Sequence, residues 1–339
     1  MKSSAKSKAV MAALWIMPLA AVILSFCVGR YSLSLHEFRQ ASISFLSSGV
    51  NSNNVETVIF KLRLPRILAA LIIGGALATS GATYQSIFRN PLVSPDLLGA
   101  SAGAGLGACI AIIMHANTVM IQLFAFAGGI AAVALTSFIS SLLLKRKDVI
   151  LVYVLIGMVM NTMLQAGISI TKYIADPYDG LQTITFWLMG SLAKVKLSEV
   201  WVLGAVVLIG IIPIMTNRWK INLLSFNDEE AMAIGLDTKR IRLILLLCST
   251  LIISASVAVS GLIGWVGLVI PHAVRILVGA NNKLLIPASF LLGSTYLLFI
   301  DDISRALMST EIPIGILTSL IGAPVFIVLL LKGRSGWRG

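Results

Sequence analysis

The sequence predicts an all-α, polytopic membrane protein with about ten transmembrane helices, forming a single transmembrane domain over residues 1–339. Of the 339 residues, 58% are hydrophobic and only 12% are charged, and the mean hydropathy is +0.95. A chain of this composition has too few polar side chains to cover a soluble globule. Its apolar runs often reach about 18 residues, the length at which a helix spans a bilayer.

The net charge of +12 suggests either nucleic-acid binding or orientation in a membrane. The basic residues form short clusters between apolar runs, without a basic face or interleaved aromatic residues for stacking. We therefore expect no nucleic acid as a partner, and we expect membrane lipid around the spans. When the spans alternate, the denser basic clusters fall on one side, which predicts that both termini are cytoplasmic.

The N-terminal apolar run, residues 10–28, follows three lysines and imitates a signal peptide. At about 19 residues it is longer than an ordinary signal core, and no A-x-A cleavage site follows it. We expect this segment to be the first transmembrane helix, retained in the protein.

Cysteine and histidine are too scattered to predict a metal site. Cys27, Cys109 and Cys248 lie far apart inside apolar runs, and the three histidines are isolated from one another. These cysteines are typical of small buried hydrophobic residues. The sequence predicts no metal site, no cofactor and no catalytic residue.

Charged residues, prolines and glycines divide the apolar runs into about ten spans. The third span opens with Gly99, Gly103 and Gly107, and small residues every four positions favour close helix packing. A phosphate loop is not expected there, because the stretch lacks the lysine of that motif. The predicted spans cover roughly residues 9–29, 64–88, 96–114, 118–144, 149–174, 199–216, 240–261, 262–279, 284–304 and 312–331.

The fifth predicted span carries a polar stripe. Gly157, Asn161, Gln165 and Ser169 recur every four residues on an otherwise apolar helix. Amide side chains do not face lipid without a partner, so the stripe faces either other helices or a water-filled path. We expect it to line a water-filled translocation path through the membrane.

The start of the same span is apolar instead. Val149, Ile150 and Leu151 replace the polar stripe at its cytoplasmic end. A ring of such side chains from two protomers excludes water when it closes, which predicts an inner gate at these positions.

The source of energy is restricted by where the carboxylates lie. Asp96, Asp301, Asp302 and Glu311 are all near predicted span ends, whereas an ion-coupled carrier usually places carboxylates or histidines within the membrane. No nucleotide-binding motif is present either. These observations favour a subunit driven by a separate ATPase, and an ion-coupled secondary carrier remains a distant alternative.

The loop between the sixth and seventh spans, about residues 217–239, is unusually rich in charge. Its segment "SFNDEEAMAIGLD" (225–237) is expected to form a short helix that ends at Gly235, with a second short helix beginning at Asp237–Thr238. Its apolar side, which includes Phe226 and Ile234, is expected to enter a cleft of the ATPase; the alternative is a solvated loop. The predicted coupling residues are Asp228, Glu229, Glu230, Ala231, Met232 and Gly235.

From residue 60 onward the sequence resembles the FecCD-type permeases, the membrane subunits of ABC importers for iron chelates, haem and cobalamin. The resemblance is carried by "LRLPRILAALIIGGALATSGATYQSIFRNPLVSPDLLGASAGAG" (62–105), "FWLMGSL" (186–192), "EEAMAIGLD" (229–237), "GLIGWVGLVIPHAVRILVG" (261–279) and "EIPIGILTSLIGAPVFIVLLLK" (311–332). It implies a cobalamin-importer-like permease fold of ten transmembrane helices in the inner membrane of a bacterium or archaeon. The implied assembly holds two permeases, as a homodimer or with a sister subunit, two cytoplasmic ATPases and one extracytoplasmic binding protein.

The resemblance also assigns a role to three arginines. In the family, arginines at the positions of Arg63, Arg66 and Arg305 receive carboxylates from the two lobes of the binding protein. The guanidinium group suits this role because it binds a carboxylate through two hydrogen bonds.

The cargo implied by the resemblance is an iron-siderophore-like or haem-like chelate, carried by alternating access. Two departures from the family pattern bear on this. Ile263 and Trp265 stand where many siderophore permeases have Pro and Phe, a variant also found in permeases for oxyanions such as molybdate; molybdate and cobalamin therefore remain alternatives. Asn281 and Asn282 stand where Asp-His is usual, and no role is predicted for them.

Overall fold

The structure is a computed structural model that describes residues 2–29, 36, 39–40, 54–143, 149–226 and 228–333. The described residues form helices joined by short connections, with no strand among them. A single helical turn, Asn54–Glu56, and a π-helical segment, Thr57–Arg63, lead directly into α2. A 3₁₀ turn, Pro95–Leu98, precedes α3, and the remaining helices are numbered in chain order. The α-helices are α1 (Lys2–Cys27), α2 (Leu64–Ile87), α3 (Ala100–Ile113), α4 (Thr118–Leu143), α5 (Val149–Ile174), α6 (Gly180–Met189), α7 (Leu197–Thr216), α8 (Arg218–Leu223), α9 (Asp228–Ala233), α10 (Thr238–Ser260), α11 (Val266–Val278), α12 (Asn282–Ala306) and α13 (Ile314–Gly333).

The ten predicted spans correspond to ten of these helices. Within the described residues, eight helical segments are long and apolar enough to cross a membrane: α1, α2 with its π-helical lead, α4, α5, α7, α10, α12 and α13. The other two, α3 and α11, are apolar but shorter, with 14 and 13 residues. The all-α, multi-pass fold is therefore confirmed, and the count of about ten is close.

The glycine-rich third span packs closely, as the sequence predicts. A Cβ atom on Gly103 would lie 2.4 Å from the Gly128 carbonyl oxygen, and one on Gly107 would lie 2.1 Å from the Phe124 carbonyl oxygen. Both contacts join α3 to α4 backbone to backbone. Gly99 differs, because its φ of +84° places it in the left-handed turn that precedes α3.

The helices α2 and α12 form a closely packed antiparallel pair. A Cβ on Gly74 would lie 2.3 Å from the Gly293 carbonyl oxygen, and a Cβ on Gly293 would lie 2.4 Å from the Gly74 carbonyl oxygen. One turn away, the Ser294 hydroxyl donates a 2.6 Å hydrogen bond to the Leu71 carbonyl oxygen. The two backbones therefore touch, with no side chain between them.

One expectation about the helices of the 217–239 loop needs correction. The second short helix predicted at Asp237–Thr238 is in fact the first turn of the long helix α10, with Asp237 as its N-cap. The Asp237 carboxylate accepts a 3.0 Å hydrogen bond from the Arg240 backbone amide, so the cap directly starts the spanning helix. The short helices α6 and α8 were not predicted, because neither is long enough to show a helical period.

The glycine contact between α2 and α12 predicts a large effect of one methyl group. We expect Gly293→Ala to destabilise the protein by about 1–3 kcal/mol, because the added Cβ meets a carbonyl oxygen that cannot rotate away. Gly264→Ala is the matched control, since a Cβ there meets nothing within 4 Å. Thermal unfolding in detergent measures the difference, and equal midpoints for the two variants would contradict the described contact.

Candidate functional site

The three arginines singled out in the sequence come together at one end of the bundle, where α1 and α12 end and α2 begins. Arg66 is at the centre: its Nε donates to both Asp301 carboxylate oxygens at 2.8 Å, and its Nη1 donates to both Glu311 oxygens at 2.9 Å. Asp301 belongs to α12, and Glu311 lies just before α13. One arginine of α2 thus connects two later segments of the chain.

Arg305 extends this cluster to α1. Its Nη2 donates to the Ser25 carbonyl oxygen at 2.6 Å, to the Ser25 hydroxyl and to the Asp302 carboxylate. The Ser25 hydroxyl donates in turn to Asp302 at 2.6 Å. Arg63 adds a further link to α1, because its Nη1 donates to the Phe26 carbonyl oxygen.

We call these groups the arginine network: Ser25, Arg63, Arg66, Asp301, Asp302, Arg305 and Glu311. Its three guanidinium groups face three carboxylates, so the formal charges balance. The arginines are only 5–7% exposed, and Asp301 is fully buried, whereas the Glu311 side chain is 34% exposed. Buried charges require this kind of pairing, since an unpaired one carries a large desolvation cost.

The network therefore gives each predicted docking arginine a partner inside the chain. Their role in docking a binding protein stays a prediction. Sequence reasoning noticed Asp301, Asp302 and Glu311 as carboxylates at span ends but did not pair them with the arginines. The span ends that meet here carry three acidic residues and three arginines, and this equality could have indicated the pairing.

The predicted polar stripe of α5 separates into a packed part and an exposed part. Gly157 is buried, and a Cβ on it would lie 2.3 Å from the Leu97 carbonyl oxygen, so this position is a packing contact. Asn161 is half-buried, while Gln165 and Ser169 are exposed. The stripe is therefore exposed only in its later half, and its lining role stays a prediction.

The predicted gate lies at the beginning of α5. Leu151 is 55% exposed. The side chains of Val149 and Ile150 lie outside those that the structure describes, as do the side chains of Asp228 and Glu229 in the predicted coupling segment. The gate stays a prediction.

At the opposite end of the bundle, the 217–239 loop has a defined conformation. Helix α9 ends in a Schellman motif: the Gly235 amide donates to the Met232 carbonyl at 2.9 Å, and the Leu236 amide donates to the Ala231 carbonyl at 3.0 Å. Gly235 has a φ of +87°, and a Cβ on it would meet nothing within 4 Å. Glycine is therefore required there for its backbone conformation and not for lack of space.

The side chains of this loop divide into an inward and an outward set. Ile221, Leu224, Ala231 and Leu236 are buried in the main hydrophobic core, so the loop is packed onto the bundle. Phe226, Met232 and Ile234 are 47%, 55% and 63% exposed, and Glu230 is exposed as well. Ala231, which was expected on the side that contacts the partner, faces the chain's own core and completes the hydrophobic contact of the Schellman motif with Leu236.

A recess lies beside this exposed apolar surface, between α8 and the start of α10. It has a volume of about 500 Å³. Lys220 lies over the Trp219 ring at 5.7 Å from its centroid. The recess thus combines an apolar floor with charged edges, and its lining includes Trp219, Lys220, Ile234, Leu236, Asp237 and Arg240.

Comparison with known proteins agrees with this architecture. The model of the FecCD transport family matches residues 16–332. The molybdate import system permease protein MolB of Haemophilus influenzae is 38% identical, over 93% of each chain, and a probable iron chelatin transport system permease protein of Helicobacter pylori is 36% identical, over 93% of this chain and 95% of that one. A solved inward-facing structure assigned to the metal-chelate type of ABC transporter superposes with a TM-score of 0.87 at 36% identity, covering 96% of this chain and 99% of that chain.

The fold and these matches define a multi-pass permease of the ABC importer class. The chain belongs to the FecCD transport family. Proteins of this family are transport subunits and not enzymes. Permeases of this type function as dimers with ATPase partners. The ATP is hydrolysed on those separate subunits.

The arginine network predicts how the fold responds to a missing charge. We expect Arg66→Met to destabilise the protein by about 3–5 kcal/mol, because Asp301 is then left buried without its main partner. The double variant Arg66→Met/Asp301→Leu should recover much of this loss, since no uncompensated carboxylate remains.

Thermal unfolding in detergent, arranged as a double-mutant cycle, measures both effects. Lys194→Met is the control, because Lys194 is an exposed cation outside the network. Additive losses in the cycle, or an Arg66→Met midpoint equal to that of the control, would contradict the pairing.

Proposed function

We propose that this chain is the translocating subunit of a binding-protein-dependent importer for a metal chelate. It acts as a homodimer or with a sister permease in the inner membrane of a bacterium or archaeon, with both termini cytoplasmic. Two cytoplasmic ATPases dock at the 217–239 loop, and an extracytoplasmic binding protein delivers cargo at the arginine network. The observation that carries the proposal is the packed, capped loop with its exposed apolar surface.

That surface has the properties of a docking site for another protein. Met232 lies on α9, Phe226 lies before it and Ile234 follows its last residue. The Schellman motif fixes the end of α9, and the Asp237 cap fixes the start of α10. Exposed apolar side chains on a preorganised support bind at low entropic cost. The adjacent recess, edged by Lys220 and Arg240, offers space and charge for side chains of the ATPase.

The arginines to which a binding protein would dock are buried, so its carboxylates would have to reach them from an accessible side of the network. Asp301 is fully buried, whereas the Glu311 side chain is 34% exposed. Carboxylates of a docking protein would therefore approach Arg66 from the Glu311 side and replace or join that carboxylate. Because guanidinium–carboxylate pairs exchange without leaving a buried charge unpaired, the network can accept such a partner.

The proposed path runs along the exposed half of α5, with the gate at residues 149–151. Gln165 and Ser169 present polar but uncharged groups. Such a wall lets a hydrophilic cargo pass without holding it tightly. ATP-driven closure of the partner dimer would tilt the helices attached to the loop and open the path alternately to each side.

The cargo class has two candidates that the relatives support about equally. The iron chelatin permease is 36% identical and the molybdate permease 38% identical. Ile263 and Trp265 favour molybdate as the second candidate, since permeases for oxyanions carry a similar variant at these positions. Cobalamin remains an alternative, because a vitamin B12 import system permease protein of Citrobacter koseri is 34% identical.

Reconstitution of the permease with its ATPase and binding protein in liposomes tests the proposed function and the cargo. We expect ATP-dependent uptake of a ferric siderophore, with molybdate as the competing probe in a parallel series. Uptake by the permease alone in a proton or sodium gradient would instead establish an ion-coupled carrier and overturn the proposal.

The loop surface predicts a loss of ATPase binding without a loss of fold. We expect Met232→Ser/Ile234→Ser to lower the affinity for the ATPase roughly tenfold or more, because two exposed apolar contacts are removed. Co-purification of the ATPase and ATP-driven uptake should fall together, while thermal stability is unchanged. Tyr178→Ser, at an 89% exposed site on a different connection, is the control; unchanged co-purification in the double variant would refute the docking surface.

The exposed half of α5 predicts a pattern of chemical accessibility. Single cysteines at 161, 165 and 169, in a background without the three native cysteines, should react with a hydrophilic thiol reagent. Their rates should change when the ATPase is trapped with nucleotide, since the path opens and closes. Position 157 is left out, because any side chain there collides with the Leu97 backbone.

Two positions serve as controls for this experiment. Ile168 is buried, and Ile170 is exposed on a different face of α5. Equal labelling at 170 and 169 would show that α5 does not line the path. The same conclusion would follow if the labelling rates at 165 and 169 were unchanged when the ATPase is trapped with nucleotide.

A further inference from the structure

The end of α2 is bound directly to the proposed coupling loop. Arg89 follows the last turn of α2 and donates from Nε to the Leu224 carbonyl oxygen at 2.6 Å and from Nη2 to the Phe226 carbonyl oxygen. Both acceptors lie in the loop, immediately before α9. Arg89 has a φ of +50°, in the left-handed region that a residue with a side chain rarely adopts. Outliers of this kind persist where the surrounding structure requires them.

A second connection joins the same loop to the start of α12. The Asn222 side chain donates to the Asn281 side-chain oxygen at 2.9 Å and accepts from the Asn282 backbone amide at 2.8 Å. Asn281 is at the same time the N-cap of α12, since it accepts from the Lys283 amide at 3.0 Å. The asparagine that caps α12 is therefore itself held by the loop.

The two connections meet in one junction, because α2 and α12 are also joined there. The Ser86 hydroxyl of α2 donates to the Asn282 side-chain oxygen at 3.1 Å, and Asn282 is 6% exposed. We call this the amide junction, formed by Ser86, Arg89, Asn222, Asn281 and Asn282. It contains directional hydrogen bonds and one cation, and both carbonyls that the cation binds are backbone groups of the loop.

The pair that the amide junction holds is connected along its whole length. Gly74 and Gly293 bring the two backbones into contact in the middle, and Arg66 binds Asp301 at the far end. The loop is continuous with α7 and α10 through the chain itself, and its helix α8 also packs against α2 and α12. The amide junction adds directional hydrogen bonds to that packing, and we expect these bonds to transmit a displacement of the loop because they fix its position relative to both helices.

We propose that Arg89 and Asn222 are positioning residues that transmit movement of the ATPase-bound loop to the α2–α12 pair. This inference rests on the proposed function, because it assumes that the ATPase moves the loop. Without the junction, the ATPases still bind the loop surface and hydrolyse ATP, but α2 and α12 do not follow. The arginine network at the other end of that pair is then not affected by the binding of ATP.

The test uses the full complex of permease, ATPase and binding protein in liposomes, with a radiolabelled ferric siderophore and radiolabelled molybdate in parallel series. The quantity measured is cargo taken up per ATP hydrolysed. For Arg89→Ala we expect this ratio to fall about tenfold, the effect of losing a charge-assisted hydrogen bond, while the ATPase still co-purifies and hydrolyses ATP. Arg89→Lys should recover part of the ratio, because an ammonium group reaches one of the two carbonyls.

Asn222→Ala should lower the same ratio, because it removes the second connection. If Arg89→Ala fails to assemble with the ATPase, the ratio for Asn222→Ala decides whether the junction transmits the movement. Lys283→Ala is the matched control, since it removes an exposed cation beside the junction and should keep the wild-type ratio. A wild-type ratio in both Arg89→Ala and Asn222→Ala overturns this inference alone. A wild-type complex that couples ATP to uptake of neither cargo overturns the proposed function, and the inference with it.

Discussion

The direct contact between the backbones of α2 and α12 is the constraint on which the rest of the structure depends. Gly74 and Gly293 have no side chains to separate the helices, so the pair approaches closely enough for Ser294 to bond the Leu71 carbonyl. Between helices in a membrane, such packing replaces the hydrophobic driving force that water supplies elsewhere. Because the pair is fixed in register, Arg66 meets Asp301 at one end and Ser86 meets Asn282 at the other.

The two ends of the α2–α12 pair are held by different kinds of interaction: ion pairs at one end and mainly neutral hydrogen bonds at the other. At the arginine network, charged groups are buried and each must find a counter-charge, so the same side chains that hold α1, α2 and α12 together also balance one another. At the amide junction, neutral amides and backbone carbonyls take part with a single arginine. Hydrogen bonds of this kind fix direction and do not depend on balancing charge, which suits a contact with a loop that moves.

Transport driven by ATP requires no side chain within the membrane that binds a coupling proton or ion. Asp301 is the most deeply buried carboxylate of the arginine network, and both of its oxygens accept hydrogen bonds from Arg66, so it joins α12 to α2. The two exposed positions of the polar stripe, Gln165 and Ser169, carry amide and hydroxyl groups and no charge. Within the described residues, energy for transport is therefore expected to enter at the loop, in agreement with the membership of the FecCD transport family.

The sequence by itself determined the membrane fold, the positions of ten apolar helices and the special character of the 217–239 loop. These features follow from local composition, since an apolar run of sufficient length has few alternatives to a spanning helix. The tertiary structure decided how the polar groups are used. Ala231 is buried in the core and Gly157 packs against Leu97. Arg66 and Arg305 pair with carboxylates, and Arg63 binds a carbonyl oxygen of α1. Asn281 and Asn282 bind the loop, a role that no pattern in the sequence predicted. Each of these contacts joins residues from different helices, and a pairing of that kind depends on helix register, which single-chain periodicity does not contain.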